Sequence, residues 1–172
     1  MKILILYGSS TSSTESVSYY IFDKLKKEYE VDIFDVTVFD FTNFSNYDLA
    51  LIGCPTWDIG KLQSDWEKRI ADLDGLDLSN ISIALFGDGD QVVYPDTFQD
   101  ALGIMYKLLI KSSPKEFIGF TKADSFEFES SKALIAGKFC GLAFDSTWQE
   151  ELTYTRVDSW LLDIFSRYNN PL

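Results

Sequence analysis

Histidine is absent from this chain. The commonest general base and metal-ligating side chain is therefore missing, which excludes Ser-His-Asp hydrolysis and His-based zinc chemistry; no metal site is expected. Cysteine is nearly absent. Cys54 and Cys140 lie far apart with no C-x-x-C spacing, so a disulfide framework is not expected and a cytoplasmic location is. Cys54 ends an apolar run and reads as a packed core thiol. Positive charge is scarce: 15 Lys and Arg face 27 Asp and Glu, a net charge of −12. That balance argues against nucleic acid and anionic membranes as partners, and it suits docking on basic proteins. No apolar run approaches a membrane span, and the opening one is shorter than a signal-peptide core, so no membrane insertion is expected. Internal repeats, low-complexity tracts and domain linkers are also lacking.

What is present is enough for one domain over residues 1–172. With 46% hydrophobic and 16% aromatic residues, the chain can bury a substantial core, and disorder is excluded as its main state. Strand-like runs occur at Lys2–Tyr7, Tyr29–Val36, Asp48–Cys54, Ile81–Phe86 and Glu116–Phe120. Helical spacing runs from Thr14 to Lys27, Gln63 to Leu73, Thr97 to Lys111 and Leu152 to Tyr168. The aromatic stretch Thr37–Tyr47 fits a turn of helix or a packed loop. Continuous apolar strands alternating with helices predict an α/β fold, a doubly wound five-stranded parallel sheet. The polar and aromatic stretch from Thr121 to Gly141 breaks that alternation before Leu142-Ala-Phe144 resumes it. It reads as an insertion that splits the fifth strand.

Three loops reach the edge where such sheets bind ligands. After the first strand comes Gly8-Ser9-Ser10-Thr11-Ser12-Ser13-Thr14, just ahead of a helix N-terminus. Backbone N–H groups, the helix dipole and the hydroxyls together form a neutral phosphate cradle. The loop lacks the Lys of a P-loop and the G-x-G-x-x-G of a dinucleotide fold. A flexible linker or a plain helix cap has the same composition, but the place between a buried strand and a helix favours phosphate. The second loop, Pro55-Thr-Trp-Asp-Ile-Gly60, offers Trp57. The third, Gly87 to Tyr94, offers Tyr94. Each ring could cap a small core under its own loop; together, beside a phosphate loop, they fit a planar ligand held between them. Phosphate at one end and a flat ring at the other describe a mononucleotide such as FMN.

Along nearly its whole length the chain resembles the long-chain flavodoxins, of the type found in cyanobacteria and their phages. The resemblance rests on Gly8–Glu15, Gly53-Cys-Pro-Thr-Trp57, Leu62-Gln-Ser-Asp-Trp66, Phe86-Gly-Asp-Gly-Asp-Gln91, Tyr94, Asp96, Phe98-Gln-Asp-Ala101, Phe126-Glu-Phe128, Ser131-Lys-Ala-Leu134, Gly141-Leu-Ala-Phe-Asp145 and Trp160. It implies the strand order 2-1-3-4-5, known for flavodoxins and supplied here by the likeness. It implies a low-potential one-electron carrier that binds FMN non-covalently, shuttles it between semiquinone and hydroquinone in place of ferredoxin, and is no enzyme. By the same resemblance, Ser9, Ser10, Thr11, Ser12, Ser13 and Thr14 would cradle the phosphate. Trp57 and Tyr94 would flank the ring. Pro55, Thr56, Asp58, Ile59, Gly60, Asp88, Gly89, Asp90, Gln99 and Asp145 would complete the ring and ribityl contacts, with the Asp58–Ile59 peptide as the switch near flavin N5.

Four departures stand out. Ser12 replaces a frequent Gly, which costs strain if φ is positive there. Lys61 stands where Glu is common, Asp88 where a neutral residue is common, and Thr121-Lys-Ala where the insertion usually begins with Trp. Asp58, Asp88 and Asp90 would crowd the ring and lower its potential, unless they only form a solvated turn. The implied partners are basic redox proteins, with ferredoxin–NADP reductase and photosystem I as donors and ferredoxin-dependent reductases as acceptors. A monomer is expected. The competing readings are an NAD(P)H-dependent FMN reductase on the same fold, a receiver-type signalling domain and an FMN-free interaction protein. Gly8-Ser9 and Cys54-Pro55 stand where a receiver needs its acids, and Trp57 with Tyr94 speaks against the FMN-free reading.

Overall fold

Strict alternation of apolar side chains sets the centre of the molecule. In the computed structural model, which describes residues 1–169, strand β1 (Lys2–Tyr7) turns Leu4 and Leu6 into one hydrophobic layer and Ile3 and Ile5 into the other, all fully buried. The chain then forms α1 (Ser13–Leu25), β2 (Glu30–Asp35), a 3₁₀ turn at Phe41–Asn46 and β3 (Leu49–Gly53). β3 repeats the two-faced pattern, with Ala50 and Ile52 opposite Leu49 and Leu51. Burial on both faces is why these strands read as continuous apolar runs.

A short hairpin, β4 (Thr56–Trp57) and β5 (Lys61–Leu62), leads to α2 (Ser64–Arg69). The helix expected over 63–73 is therefore shorter and ends in a 3₁₀ turn at Ile70–Leu73. Asp72, Asp74 and Gly75, all weak helix formers, follow closely. Strand β6 (Ser82–Asp88) runs two residues further than expected because its end pairs with the last strand. Helix α3 (Asp100–Leu109) starts later than expected, because Gln99 just before it holds φ at 61°. Then come β7 (Glu116–Ile118), β8 (Thr121–Lys122), β9 (Leu134–Ile135), β10 (Lys138–Phe139), β11 (Leu142–Phe144) and α4 (Glu150–Asn169).

The central sheet is parallel throughout, in the order β2–β1–β3–β6. Its fifth position is filled by two half-strands. β7 pairs with the Ser82–Ala84 half of β6, and β11 with the Phe86–Asp88 half. The order 2-1-3-4-5 and the split fifth strand are both as expected. Gly119 marks the break: at φ 74° it turns the chain out of the sheet, and its carbonyl accepts a 2.8 Å bond from Trp160 Nε1. The excursion forms a small antiparallel sheet, β8–β10–β9, tied back by Thr121 Oγ1 donating to the Gly141 carbonyl at 2.7 Å. Phe126, Phe128 and Phe139 from this excursion close around Phe98.

Helices α1 and α4 cover one face, α2 and α3 the other. Val157, Trp160, Leu161, Ile164 and Phe165 of α4 are buried with Val17 and Ile21 of α1. Leu102, Met105 and Leu109 of α3 are buried with Trp66 of α2. Winding reverses between β1 and β3, so their C-terminal ends open onto a crevice.

Candidate functional site

That crevice is a cavity of about 310 Å³, at the small end of the range for a drug-sized ligand. Its floor is Thr11 and Ser13. One wall is Pro55, Thr56, Trp57 and Asp58, the other Asp88, Gly89, Asp90 and Tyr94. All three loops singled out in the sequence meet here.

The floor comes from β1 ending at Tyr7 and α1 starting at Ser13. Ser12 occupies the N-cap with φ 67° and makes no side-chain cap bond. The first-turn N–H groups of α1 thus lack the usual internal acceptor. Two hydroxyls beside them, Ser9 Oγ and Thr14 Oγ1, are buried without a hydrogen-bond partner. A buried polar atom left unpaired costs about 1–3 kcal/mol. An oxyanion at the helix N-terminus supplies acceptors for these donors and is favoured by the helix dipole. Ser10 is exposed, and its Oγ accepts from Gln63 Nε2 at 3.0 Å, which braces the loop against α2.

Trp57 is half-buried on the hairpin, and Thr56 Oγ1 accepts from the Ala101 N–H at 3.1 Å, anchoring that wall to α3. Asp58 bends the hairpin at φ 45° and Gly60 at φ 75°. Asp tolerates the left-handed region better than most residues. Ile59 sits at the tip, 76% exposed and outside the cavity lining, and Lys61 Nζ meets Asp58 at 3.7 Å. On the opposite wall Tyr94 is 41% exposed. Asp90 Oδ1 accepts from the Val92 and Val93 N–H groups and from Trp148 Nε1 at 3.0 Å.

Asp88 is drawn inward, where it accepts from the Ser146 N–H at 2.9 Å and from the Ser146 hydroxyl. Burial raises its pKa above the ordinary carboxylate value, partly opposed by hydrogen bonds from Ser13 and Ser146. Two other expected contacts point away. Asp145 is fully buried, and its carboxylate accepts from Gln91, Thr147 and Trp148 N–H groups and from Gln91 Nε2. Gln99 is fully buried behind Gly89, its Nε2 donating to the Phe144 carbonyl. Both lie outside the cavity lining and brace the wall from behind. Their polar side chains looked ligand-directed in the sequence, but the 88–92 and 144–148 segments claim the Asp145 carboxylate and Gln99 Nε2 first, and Gln99 Oε1 is buried without a partner.

Thr147 lines the cavity and was missed, as was the neighbouring Trp148, which is 53% exposed. The exposed tryptophan was the signal that could have drawn attention to this loop. Both cysteines are buried, and desolvation pushes each thiol up to about 12, so neither is reactive at neutral pH. Among the described residues no cluster of His, Cys, Asp and Glu could hold a metal ion, and no helix is long and apolar enough to cross a membrane. A larger cavity, about 600 Å³, lies elsewhere, beneath the insertion. No helix N-terminus opens onto it, so the smaller crevice, which has one, is the mononucleotide candidate.

Known proteins agree with this geometry. The Flavodoxin family model matches residues 5–160. A flavodoxin of Nostoc sp. is 41% identical over 97% of both chains, and one of Synechocystis sp. 41% over 95% of both. Among solved structures, a Fusobacterium nucleatum flavodoxin bound to flavin mononucleotide superposes with a TM-score of 0.89 at 26% identity, covering 96% of this chain and 98% of that one. The chain belongs to the flavodoxin family.

Proposed function

We propose that this protein is a one-electron carrier that holds FMN non-covalently in the crevice at the ends of β1, β3 and β6. The observation that carries the proposal is the pair of orphaned buried hydroxyls, Ser9 Oγ and Thr14 Oγ1, at the uncapped N-terminus of α1, below a cleft walled by Trp57 and Tyr94. These residues fit a phosphate at one end and a planar ring at the other. When bound, FMN supplies the one-electron chemistry itself.

The chain's own residues bind, orient and polarise. The Ser9–Thr14 loop holds the phosphate by neutral donors. Trp57 and Tyr94 exclude water from the ring faces. Asp58 holds a positive φ beside the Asp58–Ile59 peptide, a conformation that Asp tolerates better than most residues. Asp58, Asp88 and Asp90 line the walls and oppose added negative charge. One unit charge roughly 6 Å from a ring costs about 2–3 kcal/mol at an effective dielectric of ~20. At ~59 mV per tenfold for one electron, that lowers the potential by on the order of 100 mV.

We infer that basic redox proteins dock on this acidic chain, with ferredoxin–NADP reductase and photosystem I as donors and ferredoxin-dependent reductases as acceptors. The protein works as a monomer in the cytoplasm. The net charge of −12 supports the docking reading, since charge steering raises association rates. The test is titration of the flavin-free protein with FMN, followed by flavin fluorescence. Quenching that saturates at one FMN per chain, with no NADPH oxidation until a reductase is added, is the result expected. Absence of quenching overturns FMN binding, and NADPH oxidation by this protein alone overturns the carrier reading.

A further inference from the structure

A cavity of about 600 Å³ is unused by the flavin site. It lies between α4 and the insertion, with Phe120, Phe126 and Trp160 among its apolar walls. Four cationic side chains line it: Lys122, Lys138, Arg156 and Arg167; Asp124 and Asp163 line it too. In a chain with only 15 Lys and Arg against 27 acids, this concentration of positive charge is out of proportion. Among the described residues none of the four makes an ion pair.

Two local features make that charge costly. Lys122 and Lys138 stand directly opposite each other across the β8–β10 pair. Like charges in that position repel and destabilise the ladder. Arg156 lies 4.2 Å above the Phe126 ring, and its Nη2 donates to Gln149 Oε1 at 2.6 Å and Ser125 Oγ at 3.2 Å. Its Nη1 is buried and has no partner. Burial of the guanidinium works against its charge, and the acids acting on it, Asp145 and Glu151, lie beyond ion-pair contact.

We propose that this cavity is a second binding site, for a small organic anion with a flat apolar body and a carboxylate or phosphate head. The body lies against Phe120 and Trp160. The head accepts from Arg156 Nη1 and neutralises the Lys122–Lys138 pair, so one ligand relieves both costs. Arg presents a fork of N–H donors that matches such oxyanions. The site is separate from the flavin crevice and does not depend on FMN.

The test is a low-salt nuclear magnetic resonance titration of the flavin-loaded, ¹⁵N-labelled protein with 2-naphthoate, 2-naphthyl phosphate and the neutral 2-naphthamide. Saturable shifts are expected at amides of 121–126 and 155–167, with those of 9–14 and 88–94 unmoved. The neutral compound is expected to bind about tenfold more weakly, a difference of about 1.4 kcal/mol. The double variant Lys122→Gln, Lys138→Gln removes only exposed side chains and is expected to cost a similar factor for both anions. Arg156→Gln is expected to weaken both further. The relative affinity of the two anions assigns the head group. Absence of saturable shifts overturns the proposal. So does equal binding of the neutral compound, or binding unchanged in the double variant.

Discussion

Ser12 offers the sharpest test of how the phosphate loop is built. It holds φ at 67° and ψ at −5°, occupies the N-cap of α1, is exposed, and makes no side-chain cap bond. A non-glycine residue in this region costs about 1–2 kcal/mol. Glycine removes that cost but adds about 0.4–1 kcal/mol of unfolded-state entropy. Ser12→Gly should therefore stabilise the flavin-free protein by about 0.5–1 kcal/mol. For a domain of this size that raises the melting temperature by roughly 1–4 °C. Ser12→Ala is the control. An N-cap Ser→Ala change ordinarily costs about 1 kcal/mol; here there is no cap bond to lose, so the change should stay within about 0.5 kcal/mol. Urea unfolding of the three flavin-free proteins reads both numbers. A destabilised Ser12→Gly, or a full cap penalty for Ser12→Ala, would refute the geometry assigned to this loop.

Two further substitutions probe the walls of the crevice. Tyr94→Ala removes one face of the ring site and should weaken FMN binding by about 1–2 kcal/mol, roughly 5- to 30-fold, in a fluorescence titration; unchanged affinity would place the ring elsewhere. Asp88→Asn addresses the buried carboxylate. Its folded pKa is raised above the unfolded value, so the protonated form is favoured by folding, and that contribution is lost as pH rises through the folded pKa. The flavin-free variant should be more stable than the parent at neutral pH, with the gap closing as pH falls toward 3.8. A gap that widens in acid would reverse the sign of the argument.

The fold was largely legible because β1, β3, β6 and β11 are buried on both faces, and such strands announce themselves as unbroken apolar runs. The insertion was legible only as a break in the alternation. Its two-residue strands β8, β9 and β10 are too short to show any period. Helix starts were misjudged where one residue adopts a rare φ, as Gln99 does before α3. Thr11, Ser13, Trp57 and Tyr94, singled out from loop chemistry and the resemblance, line one cavity. Asp145 and Gln99 lie outside its lining, because which way a short polar side chain turns depends on nearby backbone donors and acceptors that only the folded chain brings together. Trp148 was passed over because the run Ser146-Thr-Trp-Gln149 carries no glycine and no charge to mark it as a ligand loop.

The claim that this chain carries single electrons on FMN is tested most directly by absorption spectra of the FMN-loaded protein during anaerobic stepwise reduction. Two separate one-electron steps are expected, with a long-wavelength band rising in the first and the second completed only at low potential. A single two-electron step with no long-wavelength band would contradict it.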